Sequence, residues 1–214
     1  EKWLRSAQKW LEQGMKGFLV RNLESYAVLK KMGYGEKCIL DASMYTWNDQ
    51  SVDFWREEGI LRNTVPLELN EGELKHRDNT SSELLLYGYI PLMLSAQCVR
   101  KNLFGCTGKY ETAYLKDRYN SEFPVKCCCT PWECSSLEKA KYCYNIIYNS
   151  IPYGLPGERE RVEKLNLQSL RLAFTVEKPE EAREIFKEFQ SVYQKNGKPS
   201  GRRYTKGHFK RGAE

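Results

Sequence analysis

Apolar and polar positions alternate along this chain in a regular way. Trp3, Leu4, Ala7, Trp10 and Leu11 recur at helical spacing, and Gly14 stops the helix they predict over 1–14. A short apolar run, 17–20, then predicts a buried strand that ends in Arg21 and Asn22. Residues 23–32 return to helical periodicity and are broken by Gly33 and Gly35. The cycle repeats with a strand over 37–42, ending in Asp41 and Ser43, and a helix over 49–58 capped by Asn48 and stopped by Gly59. A third strand is predicted over 65–69, with Glu68 and Asn70 at its end, and a short helix over 71–75. A fourth strand covers 84–87, or continues through Leu94 to deliver Cys98. Pro152, Gly154, Pro156 and Gly157 punctuate the chain before a further strand over 167–176. Lys178-Pro179-Glu180-Glu181 opens a last helix, whose apolar face includes Ala182, Ile185, Phe189 and Val192, and Gly197 ends it.

Strand followed by helix, repeated, predicts βα units on a parallel sheet. A doubly wound sheet and a barrel compete for that pattern. The glycine-rich turns that would mark a nucleotide site, G-x-G-x-x-G and GxxxxGK[ST], are absent. Each apolar run ends instead in polar residues, and a barrel gathers such ends on one rim. The fold class predicted is therefore α/β, a partial TIM-like (β/α) barrel corresponding to the C-terminal half. A cysteine-rich segment and a C-terminal strand and helix with a basic tail follow it. The linear division is 1–97 for the barrel half, 98–150 for the cysteine-rich segment and 151–214 for the remainder. Because the chain opens on Glu1 with a helix at once, the missing strands are expected upstream, in an N-terminal half of the same protein.

Composition narrows the class. With 41% hydrophobic and 29% charged residues the chain is globular, and no apolar run reaches the ~18 residues of a membrane span. No export signal is visible, so a cytoplasmic location is expected. That compartment changes the meaning of the cysteines. Seven of the eight, Cys98, Cys106, Cys127, Cys128, Cys129, Cys134 and Cys143, lie in one segment, and clustered cytosolic cysteines bind metal or do redox work more often than they form disulfides. Cys38, alone in an apolar run, reads as a core residue. The net charge of +6 is also local: 195–214 holds seven of the 34 basic residues and one of the 28 acids, leaving 27 of each elsewhere. This tail, with Tyr204, His208 and Phe209 interleaved, is suited to RNA phosphates, and a simply solvated tail fits the same charge.

The cysteine spacing points to no single metal. Four residues separate Cys129 from Cys134, which suits one zinc knuckle, whereas Cys98 and Cys106 stand too far apart to be the second. The ferredoxin run C-x2-C-x2-C is absent. Dispersed thiolates brought together by the fold suit an iron–sulfur cluster, and zinc remains the alternative. His76 sits in a charged stretch and reads as a surface residue. No H-E-x-x-H or G-x-S-x-G occurs, so the usual hydrolase signals are missing. Arg21, Asp41 and Glu68, at strand ends, are the candidate catalytic or substrate-orienting residues. For the two acids, capping and salt bridging are the plainer role.

Taken together, YGYIPLMLSAQC (87–98), Cys106, LKDRY (115–119), FPV (123–125), CYNIIYNS (143–150) and YTKGHFKRGAE (204–214) resemble the collagenase-like family of unassigned peptidases. RNLE (21–24), LDAS (40–43) and PLELNEGEL (66–74) fit the same pattern. The resemblance covers nearly the whole chain and matches the C-terminal part of the family's barrel domain. It implies a (β/α) barrel and a four-iron (4Fe-4S) cluster held by Cys98, Cys106, Cys129 and Cys143. The triple Cys127–Cys129 and the additional Cys134 depart from the pattern at the third ligand, leaving Cys127, Cys128 and Cys134 as spares. The family's name implies a metal-dependent peptidase, a hydrolase acting on collagen or other protein. Other members hydroxylate bases of transfer or ribosomal RNA, or a quinone precursor. Redox chemistry suits a cysteine-rich site better than proteolysis, and a zinc-binding accessory module is the third class.

Overall fold

The alternation in the sequence folds into a parallel sheet. In a computed structural model, which describes residues 2–105, 111–128 and 144–212, β1 (Phe18–Val20) pairs in parallel with β2 (Cys38–Leu40). In the same sense β2 pairs with β3 (Asn63–Thr64), and β3 with β4 (Ser82–Gly88). β10 (Ser169–Ala173) lies on the far side of β4, giving the order β1-β2-β3-β4-β10. Helices α2 (Leu23–Lys31), α3 (Asp49–Glu57) and α4 (Glu71–Lys75) connect the first four strands, and α1 (Lys2–Glu12) precedes them. The result is a mixed α/β fold whose curled parallel sheet is compatible with part of an α/β barrel.

An asparagine starts each of the three connecting helices. The Asn22 side chain accepts from the Ser25 N–H at 2.8 Å. Asn48 with Ser51, and Asn70 with Glu73, form reciprocal capping boxes that satisfy two otherwise orphaned backbone donors each. Pleating then sorts the strand residues. Phe18, Val20, Cys38 and Leu40 face the helices and pack with Ala7, Tyr26, Leu29, Trp55 and Ile60 in one apolar core. Leu19 points to the other face and is 47% exposed, so that face is uncovered at the β1 edge. By β4 both faces are filled: Leu84, Leu85, Leu86 and Tyr87 are all buried. Cys38 is a core thiol, as its sequence setting predicts, and burial pushes it up to about 11.

Contacts divide the chain into two units, one of Glu1–Leu85, Glu158–Arg171 and Lys206–Glu214, the other of Leu86–Gly157 and Leu172–Thr205. Within the second, β5 (Pro91–Ser95), β6 (Glu111–Lys116), β7 (Glu122–Cys128) and β8 (Tyr144–Tyr148) form an antiparallel sheet in the order β5-β8-β7-β6. The sequence pattern does not predict this sheet. The expected strand through Leu94 is in fact two strands: β4 stops at Gly88, and Pro91, which has no N–H for a central ladder, starts β5 at a sheet edge. Similarly, β3 lies two residues before the predicted 65–69, because Pro66 cannot extend the ladder. The short β9 (Tyr153–Gly154) pairs antiparallel with the end of β4. A short helix, α6 (Arg159–Glu163), precedes β10, and the last helix, α7 (Pro179–Lys195), buries Ile185, Phe189 and Val192.

Two aromatic residues of the basic tail pack inward, while most of the tail stays exposed. Tyr204 packs edge-on against Phe189 and donates to Glu188 at 2.8 Å, with its ring over Gly154, where a Cβ would meet it at 2.5 Å. Phe209 is 2% exposed. Lys206 and Lys210 both bind the buried carboxylate of Glu158. Phe209 is a core side chain and Tyr204 half-buried, and Lys195, Lys198, Arg203 and Arg211 are among the tail's exposed cations.

One polar group ties the strands of the first unit together. The Arg77 guanidinium is buried and spends all five N–H groups: Nε on the Thr46 carbonyl, Nη1 on Asn79 and Ser82, and Nη2 on Thr46 Oγ1 and Asn63. Arg77→Met strands several of these acceptors in the interior. At about 1–3 kcal/mol per orphaned group, the urea unfolding midpoint should fall by the equivalent of about 3 kcal/mol or more. Arg77→Lys should not restore it, because one ammonium cannot reproduce the fork.

Candidate functional site

Cys98 lies between β5 and the short helix α5 (Val99–Phe104), where it is the residue that caps the helix. Its thiol is buried. Burial alone raises a thiol's pKa, but here it is outweighed. The nearby backbone N–H groups of Lys101 and Arg100, with the Asn145 side chain and the Cys127 thiol, favour the charged sulfur and together bring its pKa below the ordinary thiol value.

The partners come from the antiparallel sheet. β7 and β8 place Cys127 opposite Asn145, and both are almost fully buried. Cys127 Sγ donates to Asn145 Oδ1 at 3.2 Å, and Asn145 Nδ2 donates to the Gln97 carbonyl at 3.3 Å. Burial pushes the Cys127 thiol up, and the charge and hydrogen bond of Cys98 push it further. The two sulfurs are therefore shifted in opposite directions, Cys98 down and Cys127 up, with Asn145 beside both. Arg100 is ion-paired with Glu111.

Of the predicted ligands, Cys106, Cys129 and Cys143 lie outside the described residues, as does Cys134. Among the described residues no group of three or more His, Cys, Asp or Glu side chains is close enough to hold a metal ion. The donor set that is described, two neighbouring thiols with the pKa of Cys98 lowered, has the soft-sulfur chemistry of an iron–sulfur or zinc ligand pair. In sequence, Cys129 directly follows Cys128 and Cys143 directly precedes Tyr144, and Cys128 and Tyr144 are paired across β7 and β8. Cys128 is buried, with its sulfur near the Lys126 carbonyl at 3.8 Å. Cys127 and Asn145 stand out only in the structure. Asn145 is in the quoted CYNIIYNS motif, and Cys127 is in the cysteine triplet, but no local spacing joins either one to Cys98.

The first unit holds the other candidates. Arg21 follows β1 and Asp41 follows β2, and parallel register brings them together with Arg21 Nε 2.9 Å from Asp41 Oδ2. Arg171, on β10, reaches Asp41 Oδ1 at 2.8 Å and also Glu83 at 3.3 Å. With each carboxylate oxygen facing a guanidinium, Asp41 is an anchor for Arg21, whose side chain stays 68% exposed. Glu68 is half-buried in a turn, and among the described residues no hydrogen bond or ion pair joins it to Arg21 or Asp41. His76 is exposed at the end of α4, as predicted.

Compared with protein-family models, curated proteins and solved structures, the chain matches none. No helix among the described residues is long and apolar enough to cross a membrane.

The divided thiols give a direct test on the metal-free chain. Alkylation of Cys98 should follow a pH midpoint below the ordinary ~8.5 and that of Cys127 one above it, read by peptide mass spectrometry across a pH series. Asn145→Ala removes a partner of the Cys98 thiolate and should move its midpoint up. Two cysteines titrating together would refute the arrangement.

Proposed function

We propose that this chain is part of an iron–sulfur-dependent enzyme of the collagenase-like peptidase family that hydroxylates a base of transfer or ribosomal RNA. The observation that carries the reading is the Cys98 site: a buried sulfur packed with Cys127 and Asn145, its pKa lowered by two backbone N–H groups, an amide and a second thiol, at the start of a cysteine-rich segment. An inert core thiol has the opposite character, as Cys38 does. The motifs from Tyr87 to Ser150 support the same reading.

In this reading the second unit carries the cluster on Cys98 and, by resemblance, on Cys106, Cys129 and Cys143. When bound, the cluster supplies the redox chemistry, passing electrons to the oxygen donor or binding it. The chain's own residues do the rest. The amide of Asn145 and the α5 N–H groups favour the charged form of the Cys98 sulfur, the form that ligates. Low exposure at Cys98, Cys127 and Asn145 keeps water from the sulfurs. In the first unit Asp41 positions Arg21 for the substrate's phosphate or base edge, and Glu68 is a further substrate contact. Lys195, Lys198, Arg203 and Arg211 add phosphate attraction. The setting is cytoplasmic, and the N-terminal half of the same protein supplies the remaining barrel strands. The open inner face at Leu19 supports that completion.

Zinc is the second reading, since two contacting thiols suit it equally. Anaerobic purification with iron, zinc and sulfide analysis separates the two. The expected protein is brown, with iron and sulfide in equal amounts, and Cys98→Ala loses both colour and iron. Colourless protein carrying zinc would refute the cluster.

A further inference from the structure

The loop between β2 and α3, residues 41–48, is fixed at nearly every polar position yet displays two large aromatic rings. Asp41 is pinned by Arg21 and Arg171, and its N–H donates to the Val20 carbonyl at 2.8 Å. Ser43 Oγ donates to the Arg21 carbonyl at 2.8 Å. Thr46 is 1% exposed and is held by Arg77 and Asn63, and Asn48 locks the start of α3 through its capping box. Between these anchors Tyr45 is 51% exposed and Trp47 44%. Their planes lie within 11° of each other with centroids 6.1 Å apart. Tyr45 adopts a left-handed backbone, φ 51° and ψ 55°, which a residue with a Cβ rarely takes. The Tyr45 N–H bonds Ala42 O at 3.1 Å and the Trp47 N–H bonds Tyr45 O at 2.9 Å, so the turn holds the strain.

Apolar burial does not explain rings that remain half in water. The loop stands at the carboxyl end of a parallel strand, where α/β sheets place their ligands. Parallel aromatic planes held on a rigid loop form a stacking surface, and every nucleobase has a face to add to it. Arg21, fastened to this loop through Ser43 and Asp41, sets an exposed guanidinium beside it for a phosphate.

We propose that Tyr45 and Trp47 form the platform on which a base of single-stranded RNA stacks, with Arg21 on the adjoining phosphate. The platform rests on the reading of RNA as substrate, and it names the binding residues for it. Duplex RNA keeps its bases stacked on each other and has no free face to offer.

The test uses the full 214-residue chain and a labelled single-stranded RNA of about 12 nucleotides, followed by fluorescence anisotropy. Wild-type protein should bind it more tightly than the corresponding duplex. Trp47→Ala and Tyr45→Ala should each weaken binding about tenfold with the urea midpoint unchanged for Trp47→Ala, and Tyr45→Phe should bind as the wild type does. The slope of affinity against salt should stay the same in Trp47→Ala, because no ionic contact is removed. Equal binding by wild type and Trp47→Ala overturns the platform and leaves the RNA reading standing. No RNA binding by the wild type overturns both. Wild-type self-association that Trp47→Ala abolishes, with RNA binding untouched, overturns it in favour of a protein contact.

Discussion

A single buried guanidinium organises the first unit. Burying a charge is costly unless every donor is satisfied, and Arg77 meets that condition with neutral acceptors from three successive βα units. Burial lowers its pKa, and the nearby carboxylates of Asp49 and Asp78 act in the other direction to favour the cation. The geometry is demanding, because Thr46, Asn63 and Ser82 must all stand within hydrogen-bonding reach of one planar fork. That requirement fixes how β3 and β4 sit beside the loop after β2. It also explains why that loop can hold Tyr45 in a strained conformation: Thr46, the next residue, cannot move without stranding part of the network.

The second unit uses a neutral group in the same way. Asn145, 0% exposed, accepts from Cys127, donates to Gln97 and supports the Cys98 sulfur. An amide is suited to this because it offers both acceptor and donors, so it can accept from one sulfur while its N–H groups favour charge on the other. The antiparallel register of β7 and β8 puts it there. A one-residue slip of β7 or β8 would turn Cys127 or Asn145 to the opposite face of the sheet and dissolve the site.

The two strand-end candidates show how an expected site residue changes role when its neighbours appear. Asp41 at the end of an apolar run reads as a candidate acid or base. Arg171 makes it an ion-pair anchor, 130 residues distant in sequence and adjacent in space. The basic tail changes similarly. Its aromatics suggested contact with bases, but Phe209 fills the interior, Tyr204 packs on Phe189 and two of its lysines neutralise Glu158. Cations that look free along the sequence are thus partly consumed by acids that the fold delivers.

What the sequence determined by itself is local. Helical periodicity, the asparagine cap at 48, the core setting of Cys38 and the exposure of His76 depend on residues within a turn or two, and all were legible. The parallel half-barrel was legible too, since strand and helix alternation restricts the topology to few choices. The antiparallel sheet was hidden because Pro91 divides what looks like one apolar run into two strands with different partners. Only the tertiary structure decided which cysteine meets Cys98, which arginine holds Asp41 and which loop carries exposed rings. Those contacts depend on register and on segments far apart in the chain, and no local pattern of side chains encodes either one.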